Sequence, residues 1–112
     1  MEIQFEVFDV YGRRVFCSKE TWINKFCVLH GFKLEDEHLV KRAINDPENG
    51  YPRLDKDFDN RRVYYRKSPT EDYYAKVVVV FYKNQDNMEF GEVVTGYMPD
   101  KMDKKEKREK RP

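Results

Sequence analysis

The sequence contains a small set of side chains that can bind or act on a phosphate group. The candidates are one histidine, two arginines and one threonine: His30, Arg62, Arg66 and Thr95. An imidazole titrates near neutral pH and can act as a general acid or base. Two guanidinium groups on one strand face can hold a phosphate, and Tyr64 between them can stack a base. Together these residue types indicate phosphate chemistry.

Each candidate also has a purely structural interpretation. His30 precedes Gly31, a residue suited to end a helix, and can fill the last turn of that helix. The two arginines can pair with carboxylates on a neighbouring strand. Thr95 favours a strand through its branched side chain alone. The residues by themselves leave both interpretations open.

The sequence lacks the motifs of metal and nucleotide-cofactor sites. It has no phosphate-binding P-loop, no GxGxxG, no paired CxxC and no HExxH. Cys17 and Cys27 do not have the spacing of metal ligands, which predicts free thiols in a reducing compartment. We therefore expect neither a metal nor a cofactor.

Three segments in the second half of the chain have strand patterns. Residues 73–82 are the longest run of β-branched and aromatic residues, and residues 91–98 form a second strand that ends at Pro99. In a third strand, residues 61–67, side chains alternate between two faces. One face carries Arg62, Tyr64 and Arg66; the other carries Arg61, Val63, Tyr65 and Lys67. Residues 51–55 are a candidate short strand.

The N-terminal part predicts a strand or hairpin followed by a helix. Residues 3–7 alternate between apolar and polar side chains, and residues 15–17 can return as a second strand. Ser18 can cap a helix over residues 19–30. The spacing of its apolar residues predicts one buried stripe, which consists of Trp22, Ile23, Phe26, Cys27, Leu29 and His30.

A second helix opens near Leu34, and the turn-forming residues 46–50 end it. The order of elements predicts an α+β domain over residues 1–99. In it, an N-terminal strand or hairpin and two helices pack on a four-stranded antiparallel meander sheet. Residues 100–112 contain seven Lys or Arg, four Asp or Glu and one large apolar residue, Met102. This composition predicts a charged, solvated tail.

Charge and hydropathy limit the possible functions. Residues 1–99 have a net charge of −2, whereas residues 100–112 have a net charge of +3. The body is therefore not the uniformly basic surface of a strong non-specific nucleic-acid binder. The chain has neither a signal-peptide pattern nor an apolar run of about 20 residues. We expect a cytoplasmic protein that does not act at a membrane.

A series of short motifs, taken in order, resembles a known family. The chain is similar to the nuclease-like domains of phages and mobile elements in the barnase–EndoU–colicin–RelE group. The resemblance covers roughly residues 8–98 and rests on the order and spacing of its motifs. These are Asp9-x-x-Gly12-Arg13, Trp22 followed by His30, Ala43 to Pro47, Arg62 to Arg66, Lys76 to Val80 and Gly91 to Tyr97.

The resemblance implies metal-independent cleavage of RNA by attack of a ribose 2′-hydroxyl on the adjacent phosphate. His30 then acts as general base or acid, and Arg62 and Arg66 stabilise charge on the phosphoryl oxygens. Thr95 positions the phosphate. The implied substrate-binding residues are Tyr64, Tyr65, Lys76 and Tyr97.

The chain departs from the family pattern at two positions. Lys25 stands where many relatives have a second histidine, and Gly31 follows His30 where relatives usually have Pro-Glu. The second acid–base role would therefore fall to Lys25, Lys76 or a tyrosine. A toxin of this type implies an antitoxin or immunity protein as partner.

Two other functions are compatible with the sequence. One is a non-catalytic module of the same fold that binds a protein or nucleic acid. The other is a small regulatory protein without nuclease ancestry. The ribonuclease and the binding module differ in whether His30, Arg62, Arg66 and Thr95 converge on one phosphate-sized site. The sequence does not indicate an oligomeric state.

Overall fold

The fold consists of one mixed β-sheet with two helices on one of its faces. A computed structural model describes residues 1–111 of the chain. The strands are β1 (Ile3–Phe8), β2 (Arg14–Ser18), β3 (Arg53–Leu54), β4 (Arg61–Lys67), β5 (Tyr74–Lys83) and β6 (Glu89–Tyr97). Helix α1 has an α-helical turn over Lys19–Thr21 and continues as a π-helix over Trp22–Leu29; helix α2 is Glu37–Asn45.

The sheet has six strands in the order β1-β2-β6-β5-β4-β3. Strands β3 to β6 are neighbours in chain order, and all their pairings are antiparallel. The hairpin β1–β2 joins the other side of β6, where β2 runs parallel to it. The predicted α+β class and two helices are confirmed, but the predicted four-stranded antiparallel meander is wrong. The hairpin is part of the sheet and contributes its one parallel pair.

Helix α1 packs on the sheet with fewer residues than its apolar pattern predicts. The Ser18 hydroxyl accepts a hydrogen bond from the Thr21 amide at 3.0 Å, which confirms the predicted cap. Trp22 and Phe26 are buried, whereas Ile23 and Leu29 are exposed. The predicted stripe assumed 3.6 residues per turn. The π-helix is wound more loosely, with hydrogen bonds between residues i and i+5, and turns these two side chains towards solvent.

The hydrophobic core lies between the two helices and the sheet. From the sheet it includes Val77, Val79 and Val93, and from α2 it includes Val40 and Ile44. We call this side of the sheet the helix face and the other side the open face. None of the helices in the part of the chain described here is long and apolar enough to cross a membrane.

Candidate nucleic-acid interface

Strand register assigns each candidate side chain to one face of the sheet. Tyr65 is paired with Lys76, Lys76 with Tyr97, and Val78 with Thr95. Directly paired residues point to the same side of a sheet. These residues therefore lie on the open face, whereas Tyr64, which is paired with the core residue Val77, lies on the helix face.

The open face contains a cleft of about 420 Å³. Strands β5 and β6 contribute Lys76, Val78, Thr95 and Tyr97 to it, and the loop before β4 contributes the opposite side. The full lining is Asp55, Lys56, Asp57, Phe58, Arg61, Lys76, Val78, Thr95, Tyr97, Pro99 and Glu106. Lys76, Thr95 and Tyr97 are among the predicted site residues, and the structure brings these three together.

Two cation–aromatic pairs border this cleft. The Arg61 guanidinium lies 4.2 Å from the centre of the Phe58 ring, and the Lys76 ammonium lies 5.8 Å from the centre of the Tyr97 ring. Phe58 is 50% exposed and Tyr97 is 39% exposed. Exposed rings beside cations can stack on bases while the cations contact phosphates.

His30 lies beside this cleft and contacts it through one residue. Its ring meets the Tyr97 ring edge-on, with 4.5 Å between ring centres. The imidazole is half-buried at the end of helix α1. Tyr97 thus connects His30 to the cleft that contains Thr95 and Lys76.

Arg62 and Arg66 do not reach this cleft. Both alternate with the open-face residues of β4 and lie on the helix face. Arg66 donates to the backbone oxygen of Asp46 at 2.9 Å, at the end of helix α2. The predicted site of His30, Arg62, Arg66 and Thr95 therefore does not converge. Arg62 and Arg66 lie on the helix face, whereas Thr95 lies in the cleft on the open face and His30 lies beside that cleft.

The predicted base-stacking role of Tyr64 and Tyr65 also conflicts with their burial. Tyr64 is fully buried, and its hydroxyl donates to Asp9 at 2.7 Å. Tyr65 is 2% exposed, and its hydroxyl donates to Glu106. Burial together with this hydrogen bond raises the pKa of Tyr65 to about 12. Neither ring is available to a base in this arrangement.

The C-terminal residues cross the sheet instead of extending into solvent. We call residues 100–111 the C-terminal strap. The amide of Leu54 donates to the Lys107 carbonyl at 2.7 Å, and the amide of Glu109 donates to the Pro52 carbonyl at 2.9 Å. Glu106 is 3% exposed and Glu109 is 5% exposed. The prediction of a solvated tail is thus corrected for the described residues.

Three of the four acidic residues of the strap pair with cations of the body, and its basic residues are exposed. Asp103 pairs with Lys56 at 2.8 Å, Glu106 with Lys76 at 2.9 Å, and Glu109 with Arg13 at 2.6 Å. The exposed basic residues of the strap are Lys101, Lys104, Lys105, Lys107, Arg108, Lys110 and Arg111. Burial disfavours the charged form of Lys76, but the hydrogen bond with Glu106 still raises its pKa.

Glu109 belongs to a buried ionic cluster on the helix face. Arg13 donates to both carboxylate oxygens of Glu109, at 2.6 and 3.0 Å, and to Asp9 at 2.9 Å. Arg62 Nε lies 2.8 Å from Oε2 of Glu109, so the two side chains form an ion pair. The N–H group of Nε points too far from this oxygen for a hydrogen bond. Burial acts to raise the pKa of Glu109, but the two guanidinium groups lower it below its ordinary value.

The predicted site residues do not include Arg13, Glu106 and Glu109, which belong to interacting clusters in the structure. A signal was present in the strap, where acidic residues recur every third position at Asp100, Asp103, Glu106 and Glu109. In a polyproline II conformation, which has three residues per turn, such a period predicts one acidic side. Apolar patterning alone could not detect it.

The described residues contain no group of three or more His, Cys, Asp or Glu side chains arranged to hold a metal ion. Cys17 is buried, and its burial raises the pKa of its thiol to about 12. Such a thiol is not activated as a nucleophile. No family model, curated protein or solved structure matches this chain.

Proposed function

We propose that this protein binds single-stranded RNA along the open face of its sheet. The observation that supports it is the cleft in which the exposed rings of Phe58 and Tyr97 each contact a cation. Stacking on aromatic rings and contact with basic groups are the two interactions that single strands require. The Thr95 hydroxyl in the same cleft can bond to a ribose 2′-hydroxyl or a phosphate oxygen.

Charge distribution supports the same proposal. The strap's acidic residues Asp103, Glu106 and Glu109 are paired with body cations, while its seven Lys and Arg side chains are exposed. An approaching polyanion therefore meets exposed basic side chains along the strap, although the net charge of the chain is only +1. Such side chains increase the rate of encounter with RNA. We propose the cytoplasm as the location of this binding.

Loss of stacking or of a phosphate contact in the cleft is expected to weaken RNA binding. Tyr97→Ala should lower the affinity for a uridine-rich octamer about tenfold, since a base–aromatic stack contributes about 1–3 kcal/mol. Tyr97→Phe should retain most of the affinity. Arg61→Ala should weaken binding and reduce the dependence of log affinity on log salt by about one. Fluorescence anisotropy across a salt series measures both effects.

Arg42→Ala is the matched control for Arg61→Ala. Arg42 is a partly exposed arginine on helix α2 that pairs with Asp46, on the opposite face of the sheet from the cleft. Equal losses for Arg61→Ala and Arg42→Ala would show that binding follows net charge and not the cleft. Unchanged affinity in Tyr97→Ala would contradict base stacking.

A second candidate function is metal-independent ribonuclease activity, as the resemblance implies, and the contact of His30 with Tyr97 supports it. In this proposal His30 accepts the proton of the 2′-hydroxyl as its oxygen bonds to phosphorus. The P–O5′ bond breaks, the leaving oxygen takes a proton from water, and Lys76, without Arg62 or Arg66, stabilises the phosphoryl charge. An antitoxin or immunity protein would be its partner.

Incubation of mixed-sequence RNA with the protein in EDTA tests the ribonuclease. Cleavage that is abolished in His30→Ala and unchanged in His38→Ala would support the ribonuclease. His38 is the matched control, because of the two histidines only His30 borders the cleft. RNA that stays intact although the folded protein binds it would contradict the ribonuclease and leave RNA binding as the proposed function.

A further inference from the structure

The C-terminal strap places a carboxylate where the proposed ligand would place a phosphate. Glu106 contacts the ammonium of Lys76 at 2.9 Å, and this ammonium is the cation beside Tyr97 in the cleft. A lysine ammonium group binds a phosphate as it binds a carboxylate. Glu109 anchors the strap on the helix face through a two-oxygen contact with the Arg13 guanidinium.

The cations under the strap retain partners when the strap is removed. Arg13 still pairs with Asp9, and Arg62 still donates to the backbone oxygens of Asp59 and Arg61. Lys76 still lies near the rings of Tyr65 and Tyr97. Release of the strap therefore leaves no cation isolated, so a folded body without a docked strap is compatible with the remaining contacts.

The strap itself has little apolar surface to hold it in place. Met102 is its one large apolar residue, and it is partly buried. Its attachment consists mainly of ion pairs and a few backbone hydrogen bonds to the edge strand β3 and the residues before it. Ionic attachment of this kind is open to competition from another polyanion.

We infer that the strap is an internal competitor of RNA, with Glu106 occupying a phosphate position on the open face until a bound strand displaces the strap. This inference rests on the proposed function and adds its regulation. The strap's exposed basic side chains attract RNA, and a phosphate of the strand then replaces Glu106 as the partner of Lys76. Binding of RNA and docking of the strap are thus mutually exclusive at this cation.

Substitution of the two glutamates tests the competition. Glu106→Gln and the double variant Glu106→Gln with Glu109→Gln are expected to bind a uridine-rich octamer about tenfold more tightly, within the range of ordinary coupling between competing ligands. Glu71→Gln makes the same charge change at an exposed site in the loop before β5 and should leave the affinity unchanged. The single variant keeps the buried Glu109 cluster, so the test does not depend on folding of the double variant.

Amide hydrogen exchange supplies a direct measure of displacement. The amide of Leu54 donates to the carbonyl of Lys107 in the strap, and the amide of Glu109 donates to the carbonyl of Pro52. Both hydrogen bonds hold the strap at the β3 edge. Octamer should accelerate their exchange in the wild-type protein while the amides of core strand β5 stay protected. Octamer that binds with equal affinity to wild type and Glu106→Gln, or that leaves these two amides protected, would overturn the competition and leave the proposed function standing. Absence of octamer binding in all variants would overturn the proposed function, and the competition with it.

Discussion

Arg13→Met is expected to lower the free energy of unfolding by about 3–5 kcal/mol, the usual cost of removing one partner of a buried ion pair. Asp9 and Glu109 both accept hydrogen bonds from this guanidinium, and all three side chains are at most 7% exposed. Without Arg13, two carboxylates would remain in the protein interior with fewer compensating contacts. Urea unfolding followed by the fluorescence of Trp22, the only tryptophan, measures the loss.

The neighbouring arginine provides the control for this prediction. Arg14 pairs with Glu6 at 3.3 Å, and both side chains are about half exposed. Exposed pairs of this kind contribute about 0–1 kcal/mol. Arg14→Met should therefore change stability far less than the same substitution one residue earlier. Similar losses for the two variants would contradict the buried cluster of Asp9, Arg13 and Glu109.

Gly96→Ala is expected to destabilise the protein by about 3 kcal/mol through overpacking. A Cβ atom at position 96 would lie 2.1 Å from Cε2 of Phe26 and 2.7 Å from two further atoms of the same ring. The ring has no simple escape, because Trp22 and Phe32 pack against it with ring centres 5.2 and 5.0 Å away. Thermal unfolding monitored by circular dichroism gives the size of the loss.

Two comparisons identify the cause of the Gly96 effect. Gly12→Ala places a Cβ in open space at a φ of +82°, so only the strain of the left-handed conformation applies, about 1–2 kcal/mol. Combining Gly96→Ala with Phe26→Leu should cost less than the sum of the two single variants, because the smaller side chain removes the clash. Additive losses in the double variant would show that the close approach of Phe26 to Gly96 is not the reason.

The sequence predicted most strands and helices because their patterns are local. Strand β4 alternates between its faces as expected, and Ser18 caps helix α1. The parallel pairing of β2 with β6 has no such local signal, since it joins residues more than seventy positions apart, such as Val15 and Gly91. Pairing between residues so far apart depends on how all the strands assemble into the sheet, which local residue patterns do not specify.

Site prediction failed mainly where both faces of a strand carry similar residues. In β4, Arg62 and Tyr64 alternate with Arg61 and Tyr65, so composition does not indicate which face the helices cover. The structure covers the face that we expected to bind RNA. The outward pair, Arg61 with Phe58, was overlooked because it combines a strand residue with a loop residue.

An irregularity in β6 breaks its alternation between the two faces of the sheet. Strict alternation would place Val93, Thr95 and Tyr97 on one face, but the register shifts between Val78 and Val79 of the paired strand β5. One extra residue in β6 therefore returns Val93 to the core, while Thr95 and Tyr97 stay in the cleft. Bulges of this kind depend on local twist of the sheet and leave no alternation pattern to read.

Amide chemical shifts of the labelled protein during titration with a uridine-rich octamer test whether RNA binds on the open face. The proposal predicts the largest changes at Lys76, Thr95 and Tyr97, with further changes at residues 56–61 and in the strap. Helix α2, on the other face of the sheet, should show little change. Shifts confined to α2, or no saturable shifts in the cleft at low salt, would contradict RNA binding on the open face.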